Sequence, residues 1–238
     1  MFVRISSAPP RAPTIPIIPD LHYRGARGRF TQHSHPDSHQ TLMNKLWPSD
    51  DIADWKAALA SYPTVIAAQG VASLPGLDSW YRDDLPGLIA ARHRPHVTYA
   101  ELVKVTEWKM ARGVWRARNL ALVRGNDAAL VTATSGEALG AVPDPVAPIT
   151  TLAELAGVGP ATASAVAAAA SPEHYPFFDE LVGAQVPGLG TLTFNIGYYK
   201  RYAAALRERA KELGARWTPV MVERALWAHV GGKKGVRP

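Results

Sequence analysis

The sequence predicts an all-α fold in which residues 41–238 form one helical domain. Apolar residues recur at helical spacing in several segments, and capping residues stand before most of these segments. Few segments alternate with the two-residue period of a half-buried strand. A chain of 238 residues can bury a substantial core. No apolar run approaches the roughly 18 residues of a membrane span, so we expect no membrane contact.

Residues 1–40 are predicted to form an irregular arm. They are rich in Pro, Arg, Ser and His and show no sustained period. His33, His35 and His39 could bind a metal, but a polar cluster in such a segment is more often exposed and inert. We therefore expect no metal site.

The first helices follow the arm. Ser49 or Asp50 is predicted to cap a helix that stops near Pro63. The apolar run 63–74 could be a strand or a buried helix, and we predict helix for this region through Leu85.

A better-defined helix begins at Thr98. Thr98 and Glu101 form a predicted capping box, and Gly113 is predicted to end the helix. Two more helices are predicted. One runs from about Trp115 to the residues before Gly125, and the other begins at about Asp127 and ends before a Pro-rich connector at 143–148.

Basic residues concentrate in two parts of the chain. Residues 92–124 carry eight Lys or Arg against two acidic residues, and residues 198–238 carry ten against three. This asymmetry favours a face that meets a negative surface, although a solvated helix face would look the same. The chain has no cysteine, which excludes disulfides, thiolate catalysis and cysteine-bound clusters.

A tight turn is predicted to join two helices between residues 151 and 170. Thr151 and Glu154 are predicted to cap a short first helix, and the turn 157–159 has the sequence Gly-Val-Gly. Pro160 then occupies the first turn of an alanine-rich second helix. The free N–H groups and positive dipole end of that helix suit a DNA phosphate. The alternative is an ordinary packing corner, because Gly-x-Gly alone is a weak signal.

The stretch 155–163, LAGVGPATA, resembles the L-P-G-[VI]-G-x-x-T-A signature of the helix-hairpin-helix DNA glycosylases. Ala156 replaces the usual proline. In that family a catalytic aspartate follows the hairpin at a fairly fixed interval, and Asp179 lies 18 residues beyond Ala161 in the stretch YPFFDE. The resemblance implies a glycosylase-like helical domain with a helix-hairpin-helix motif at 151–170. Outside residues 152–180 the chain resembles the family only in the order of its segments, with basic helical segments before the hairpin and a further helical region after it.

The resemblance implies that Asp179 is the catalytic carboxylate, which would stabilise positive charge on the sugar and activate water. Glu180 could be the working acid instead, and Asp179 could be a helix cap. Bifunctional members of the family carry a nucleophilic lysine where this chain has Ala161. We therefore expect a monofunctional enzyme that leaves an abasic site. Nothing in the sequence places Lys109 or Lys200 near Asp179.

The predicted DNA contacts fall into two groups. The phosphate-binding residues are Gly157, Val158, Gly159, Ala161 and Thr162 of the hairpin, with Lys109, Arg112, Arg116 and Arg118 of the basic segment. Aromatic residues beside basic ones are predicted to stack on bases or to fill the gap left by an extruded nucleotide; they are Trp115, Tyr198 and Tyr199. For Trp108 we favour a place in the core.

The leading hypothesis is a monofunctional DNA glycosylase that acts on double-stranded DNA inside the cell, with the nucleus favoured and the mitochondrion left open. The alternatives are a non-catalytic helix-hairpin-helix DNA-binding protein and a hairpin domain used for protein contacts. We expect no cofactor, with a monovalent cation at the hairpin as the one exception left open. The sequence does not indicate the target base.

Overall fold

The structure, a computed structural model, describes residues 45–236. The predicted arm and its three histidines lie outside these residues. The described part is helical and contains no strand, which confirms the all-α prediction. The helices are α1 (Ile52–Ala68), α2 (Leu74–Ser79), α3 (Leu85–Ala90), α4 (Tyr99–Arg112), α5 (Ala117–Arg124), α6 (Ala128–Gly140), α7 (Ala147–Leu152), α8 (Pro160–Ala170), α9 (Glu180–Gly183), α10 (Ile196–Leu213) and α11 (Pro219–His229). A π-helical turn (Trp80–Asp84) joins α2 to α3, and a 3-10 turn (Gly232–Lys234) follows α11.

The predicted end of the first helix near Pro63 is wrong. Asp51 caps α1 by accepting a hydrogen bond from the Ala53 N–H at 2.8 Å, and the helix continues through Pro63 to Ala68. Proline removes one helical hydrogen bond, but buried residues on either side of Pro63 hold the helix against the core. Tertiary packing therefore overrides the local preference of proline.

The predicted cap of α4 is confirmed. The Thr98 hydroxyl accepts from the Glu101 N–H at 3.3 Å, and the Glu101 carboxylate accepts from the Thr98 N–H at 2.8 Å. Gly113 ends the helix, as its sequence predicts. This cap fixes the start of the helix whose last turn carries Lys109 and Arg112.

The predicted capping box at Thr151 and Glu154 is wrong. The Asp144 carboxylate accepts from the N–H groups of Val146 and Ala147, at 2.9 and 2.7 Å, and so starts α7 earlier than predicted. Thr151 consequently lies in the last turn of α7, and Glu154 lies beyond its end. The connection from α7 to α8 runs over residues 153–159.

Helix α8 lies at the centre of the packing. It contacts α3, α4 and α7, and every residue from Ala161 to Ala169 is buried. Alanine and serine side chains allow neighbouring helices to approach closely on all sides. The alanine-rich sequence is therefore explained by burial, and α8 brings its first turn next to the end of α4.

A buried polar network ties α4 to α11 and to the π-helical turn. Arg112 of α4 forms an ion pair with Glu223 of α11, and Arg82 lies 3.6 Å from the other oxygen of the same carboxylate. The Asp78 carboxylate accepts from the Trp108 indole N–H at 2.8 Å. The Trp108 ring stacks on Tyr81 with 3.6 Å between centroids, so Trp108 belongs to the core as the sequence favours.

Candidate active site

A cavity of about 350 Å³ lies where the end of α4, the start of α8 and the segment before α9 meet. This volume is at the lower end of the range of about 300 to 1,000 Å³ that is usual for small-molecule sites. The lining residues include four basic, two acidic and four aromatic side chains. They are Lys109, Arg112, Arg116, Lys233, Asp179, Glu180, Phe177, Phe178, Phe194 and Trp227. Gly159, Pro160, Ala161 and Thr162 complete the wall on the side of α8.

The turn before α8 is fixed by close packing against α5. Gly157 has φ +76°, a region that glycine adopts at no steric cost. A Cβ at this position would lie 2.6 Å from the Asn119 carbonyl oxygen and 2.8 Å from Leu122 Cβ. Asn126 holds the preceding residue, because its side-chain amide exchanges two hydrogen bonds of 2.9 Å with the backbone of Ala156.

Gly159 is the N-cap of α8 and faces the cavity. Its carbonyl accepts from the N–H groups of Thr162 and Ala163, each at 2.9 Å. Among the described residues, the N–H groups of Gly159 and Ala161 have no hydrogen-bond partner. The positive end of an 11-residue helix therefore meets the cavity beside donors that are not used inside the protein.

Asp179 is the N-cap of α9 and is buried. Its carboxylate accepts from the Leu181 N–H at 2.8 Å and from the Val182 N–H at 3.4 Å. Burial raises the pKa of Asp179 above its ordinary value, while Arg112 acts in the opposite direction. The group is thus both a helix cap and a desolvated acid in a cavity, which is an arrangement found at catalytic carboxylates as well as at structural ones.

Arg112 does not take the role predicted from the sequence. Its side chain is fully buried, bonded to Glu223, and stacked over the Trp227 ring with its guanidinium carbon 4.5 Å from the ring centroid. Burial works against the charge, but Glu223 outweighs it and the pKa of Arg112 is raised. Its charge is held by Glu223 and acts on Asp179, while its side chain contributes to the lining of the cavity.

Lys109 extends into the cavity from the last turn of α4. Its amine donates to the Thr162 hydroxyl over 3.2 Å. Burial lowers the pKa of Lys109, and the nearby positive charge of Arg116 lowers it further. No carboxylate lies within 4.0 Å of this amine in residues 45–236.

The loop between α4 and α5 presents an exposed basic and apolar edge to solvent. Val114 is 45% exposed and Trp115 is 56% exposed, and the side chains of Arg116 and Arg118 follow them on the surface. Phe194 is also exposed, and its ring lies 5.1 Å from that of Phe178 in the cavity wall. Large exposed apolar side chains beside a cavity are typical of a binding surface.

The prediction that Tyr198 and Tyr199 stack on bases is wrong. Both rings are buried, with 2% and 0% of their surface exposed, and both pack around Phe178. The Tyr199 hydroxyl donates to the Pro176 carbonyl over 3.3 Å. These tyrosines therefore hold the segment that carries Asp179. Trp115 remains the exposed aromatic candidate of the predicted three.

The structure brings most of the predicted site residues to one place. Those that line the cavity are Asp179, Glu180, Gly159, Ala161, Thr162, Lys109, Arg112 and Arg116. Gly157 and Val158 support the turn from behind. Trp115 is exposed on the adjacent loop, and Arg118 is exposed in the first turn of α5.

Sequence reasoning missed several lining residues, among them Asn119, Phe194, Trp227 and Lys233. Lys233 forms an ion pair with Glu180, which links the C-terminal turn to α9. The glycine-flanked stretch GGKKG, a basic turn in an otherwise helical region, was the one available signal for Lys233. No feature of the local sequence around Asn119, Phe194 or Trp227 indicates that these residues line the cavity.

These features define an all-helical protein with a basic cavity that holds a buried carboxylate. Residues 45–236 contain no cluster of three or more His, Cys, Asp or Glu that could hold a metal, and none of their helices is long and apolar enough to cross a membrane. Comparisons of the chain with protein-family models, with curated proteins and with solved structures found no match.

Proposed function

We propose that this protein is a DNA glycosylase that hydrolyses the N-glycosidic bond of a damaged or modified base in double-stranded DNA. One observation carries the proposal: Gly159 of the glycine turn and the start of α8 line the same cavity as Asp179, 18 residues beyond Ala161. The sequence resemblance assigns phosphate binding to the first and catalysis to the second. Their meeting in one cavity supports the two assignments together.

The chemistry assigned to Asp179 follows from its surroundings. Loss of a base leaves positive charge on the deoxyribose ring, and a carboxylate in a poorly solvated cavity stabilises such charge more strongly than one in water. Phe177 and Trp227 supply apolar walls beside Asp179. Water adds to the sugar, and the product is an abasic site. Ala161 offers no nucleophile at the hairpin position, so this step uses water and Asp179.

The surface around the cavity supports DNA as the ligand. Arg116 lies next to exposed Trp115 on the loop after α4, and Arg118 is exposed in the first turn of α5. Basic side chains position a phosphate backbone, while an exposed ring can stack on a base or fill the space of an extruded nucleotide. The unused N–H groups of Gly159 and Ala161 are suited to one more phosphate oxygen.

The proposal is tested with duplexes that each carry one uracil, one alkylated base or one oxidised base. After incubation, alkali cleaves abasic sites, and strand breaks report base release. We expect breaks on at least one duplex with the wild-type protein and none above background with Asp179→Asn.

Asparagine caps helices as well as aspartate does, so this variant removes the charge and keeps the cap. Glu180→Gln is the matched control, because it removes the neighbouring charge; loss with Glu180→Gln alone would make Glu180 the working acid.

A second candidate function is a DNA-binding protein without catalysis. The observation that favours it is the helix-capping role of Asp179, whose carboxylate bonds two N–H groups of α9. This alternative predicts DNA binding together with no base release on any duplex of the panel. Absence of DNA binding at low salt would contradict both candidate functions.

A further inference from the structure

The inner wall of the cavity, formed by Arg112 and Trp227, carries N–H groups that have no partner within the described chain. Both residues line the cavity, and they are 1% and 0% exposed. Among residues 45–236, Nε and Nη1 of Arg112 and the indole Nε1 of Trp227 are buried and make no hydrogen bond. Native proteins rarely leave a buried donor unpaired, because such a group has lost its bonds to water without gaining others. An acceptor on a ligand would satisfy these donors.

Neighbouring groups hold the guanidinium of Arg112 in place. Arg112 uses Nη2 for its ion pair with Glu223. Its guanidinium carbon lies 4.5 Å from the centroid of the Trp227 ring and 5.1 Å from that of the Phe177 ring. The ion pair and the two rings therefore fix the group while Nη1 stays unpaired. Donors that are fixed before binding lose little conformational entropy when a ligand arrives, which favours affinity.

The charges around the inner wall favour a neutral acceptor over an anion. Arg112 is paired with Glu223 and also interacts with the carboxylate of Asp179. One guanidinium thus serves two carboxylates, and these would repel a third negative group. A neutral carbonyl oxygen meets no such repulsion, and a cationic N–H donor forms a stronger hydrogen bond to it than a neutral donor does. The ligand group that fits this wall is therefore a carbonyl.

The other walls of the cavity suit a flat ring. Phe177, Phe178 and Phe194 line the cavity together with Trp227. Aromatic side chains pack well against planar groups, by stacking or by edge contacts. A volume of about 350 Å³ admits one small ligand. The walls and the donors together indicate a planar heterocycle that carries a ring carbonyl.

We propose that Arg112 and Trp227 recognise a ring carbonyl oxygen and so make the cavity selective for oxo-bases over bases that have no carbonyl. The inference deepens the proposed function and rests on it in one respect, since in that function the heterocycle is the extruded base. Arg112 Nη1 and Trp227 Nε1 donate to the carbonyl. Because water does not reach these atoms, the ligand contacts them with small side-chain shifts. A base without a carbonyl leaves the donors unpaired.

The test uses free bases and the full-length protein, so that neither DNA binding nor catalysis is needed. Hypoxanthine and purine share the same ring system, and only hypoxanthine has a carbonyl. Isothermal titration calorimetry gives the Kd of each base. We expect hypoxanthine to bind the wild-type protein about 10-fold or more tightly than purine, because purine leaves the buried donors without an acceptor. This comparison needs no variant and is unaffected by any loss of stability.

A substitution then assigns the preference to the inner wall. Trp227→Phe removes the indole N–H and keeps an aromatic ring, so the preference for hypoxanthine should shrink several-fold. Trp217→Phe is the matched control, because Trp217 packs against Trp55 and does not line the cavity. This control should keep the wild-type ratio of the two Kd values. A ratio that Trp227→Phe leaves unchanged would overturn the assignment to this wall.

The remaining outcomes separate the inference from the proposed function. Equal affinities for hypoxanthine and purine, or no binding of hypoxanthine, overturn the inference. Equal rates of release of hypoxanthine and of 1,N6-ethenoadenine, which has no carbonyl, from otherwise identical duplexes also overturn it while supporting the proposed function. A preference for free hypoxanthine in a protein that releases no base from any duplex leaves the inference standing while the proposed function fails.

Discussion

Asp179 combines a helix cap with a buried charge, and one substitution separates the two. Because burial raises its pKa, the folded state holds this proton more tightly than the unfolded chain does. The group therefore lowers the free energy of unfolding as the pH rises from about the ordinary value of 3.8 through its folded pKa. Above that window the charge remains buried at a cost to stability.

Asp179→Asn should accordingly stabilise the protein relative to wild type at neutral pH. The gain should grow as the pH rises from 4 and then level off, because asparagine keeps the cap and cannot ionise. Thermal unfolding over a series of pH values measures it. Asp127→Asn is the control, since Asp127 caps α6 at an exposed position and should show no comparable gain. A lower Tm for Asp179→Asn at every pH would contradict the prediction.

The same raised pKa predicts the acid side of the pH profile of base release. The carboxylate stabilises positive charge only when it is ionised, so activity should fall as the pH drops through the raised pKa of Asp179. The midpoint of the acid limb should lie above 3.8. Rates of base release between pH 4 and 8 check this, and rates that do not fall toward pH 4 would show that another group controls the reaction.

The structure requires glycine at position 157 but leaves room for a side chain at position 159. Gly157→Ala should lower the free energy of unfolding by about 2 kcal/mol or more, because it forces a side chain into a positive φ and into the backbone of α5. Gly159→Ala should have a small effect on stability, because φ is −98° and the space around a new Cβ is open. Urea unfolding of both variants measures the difference. Equal losses of stability would contradict the packing described for this turn.

At the scale of helices, local signals predict starts and ends well only where no competing contact exists. The Thr98 cap was predictable because its partner is three residues away and both bonds form locally. The Thr151 cap failed because Asp144 starts α7 earlier, and Pro63 failed as a stop because α1 is held by packing along α11. The local pattern at Thr151 contains no information on the cap at Asp144, and the local pattern at Pro63 contains none on the packing of α1 along α11.

The candidate site was predictable where one segment carries it and unpredictable where several meet. The turn, Asp179 and their order along the chain were readable in residues 152–180. The burial of Arg112 against Glu223, 111 residues away in sequence, was not, because the basic residues of α4 look alike until the packing of α11 is known. The burial of Tyr198 and Tyr199 was unpredictable as well, because it depends on their packing around Phe178, a residue of another segment.

The pair between Arg112 of α4 and Glu223 of α11 gives a prediction for the link between these helices. Glu223→Gln should lower the free energy of unfolding by about 3 to 5 kcal/mol, because it leaves a buried guanidinium without its counter-charge. Glu107→Gln should lower it by about 1 kcal/mol or less, because its partner Arg124 is 55% exposed. Denaturant unfolding compares the two, and a similar small loss for both would contradict a buried pair.

For the whole molecule, the basic edge beside the cavity should bind DNA through phosphates. The logarithm of the DNA association constant should fall linearly with the logarithm of salt concentration, and Arg116→Gln and Arg118→Gln should each reduce the slope by about 1. Lys211→Gln is the control, because Lys211 pairs with Glu208 on the surface and does not line the cavity. Fluorescence anisotropy with a labelled duplex gives the slopes. An equal effect of Lys211→Gln would mean that binding is spread over the whole basic surface.

The central claim is that Asp179 acts on a sugar in this cavity, and single-turnover base release with protein in excess over DNA tests it most directly. On the duplex that the wild type processes, Asp179→Asn should reduce the rate by about 100-fold or more, with an unchanged Kd for that duplex and a Tm at least as high as that of the wild type. A rate for Asp179→Asn within a few-fold of wild type would contradict the claim and leave Asp179 a helix cap.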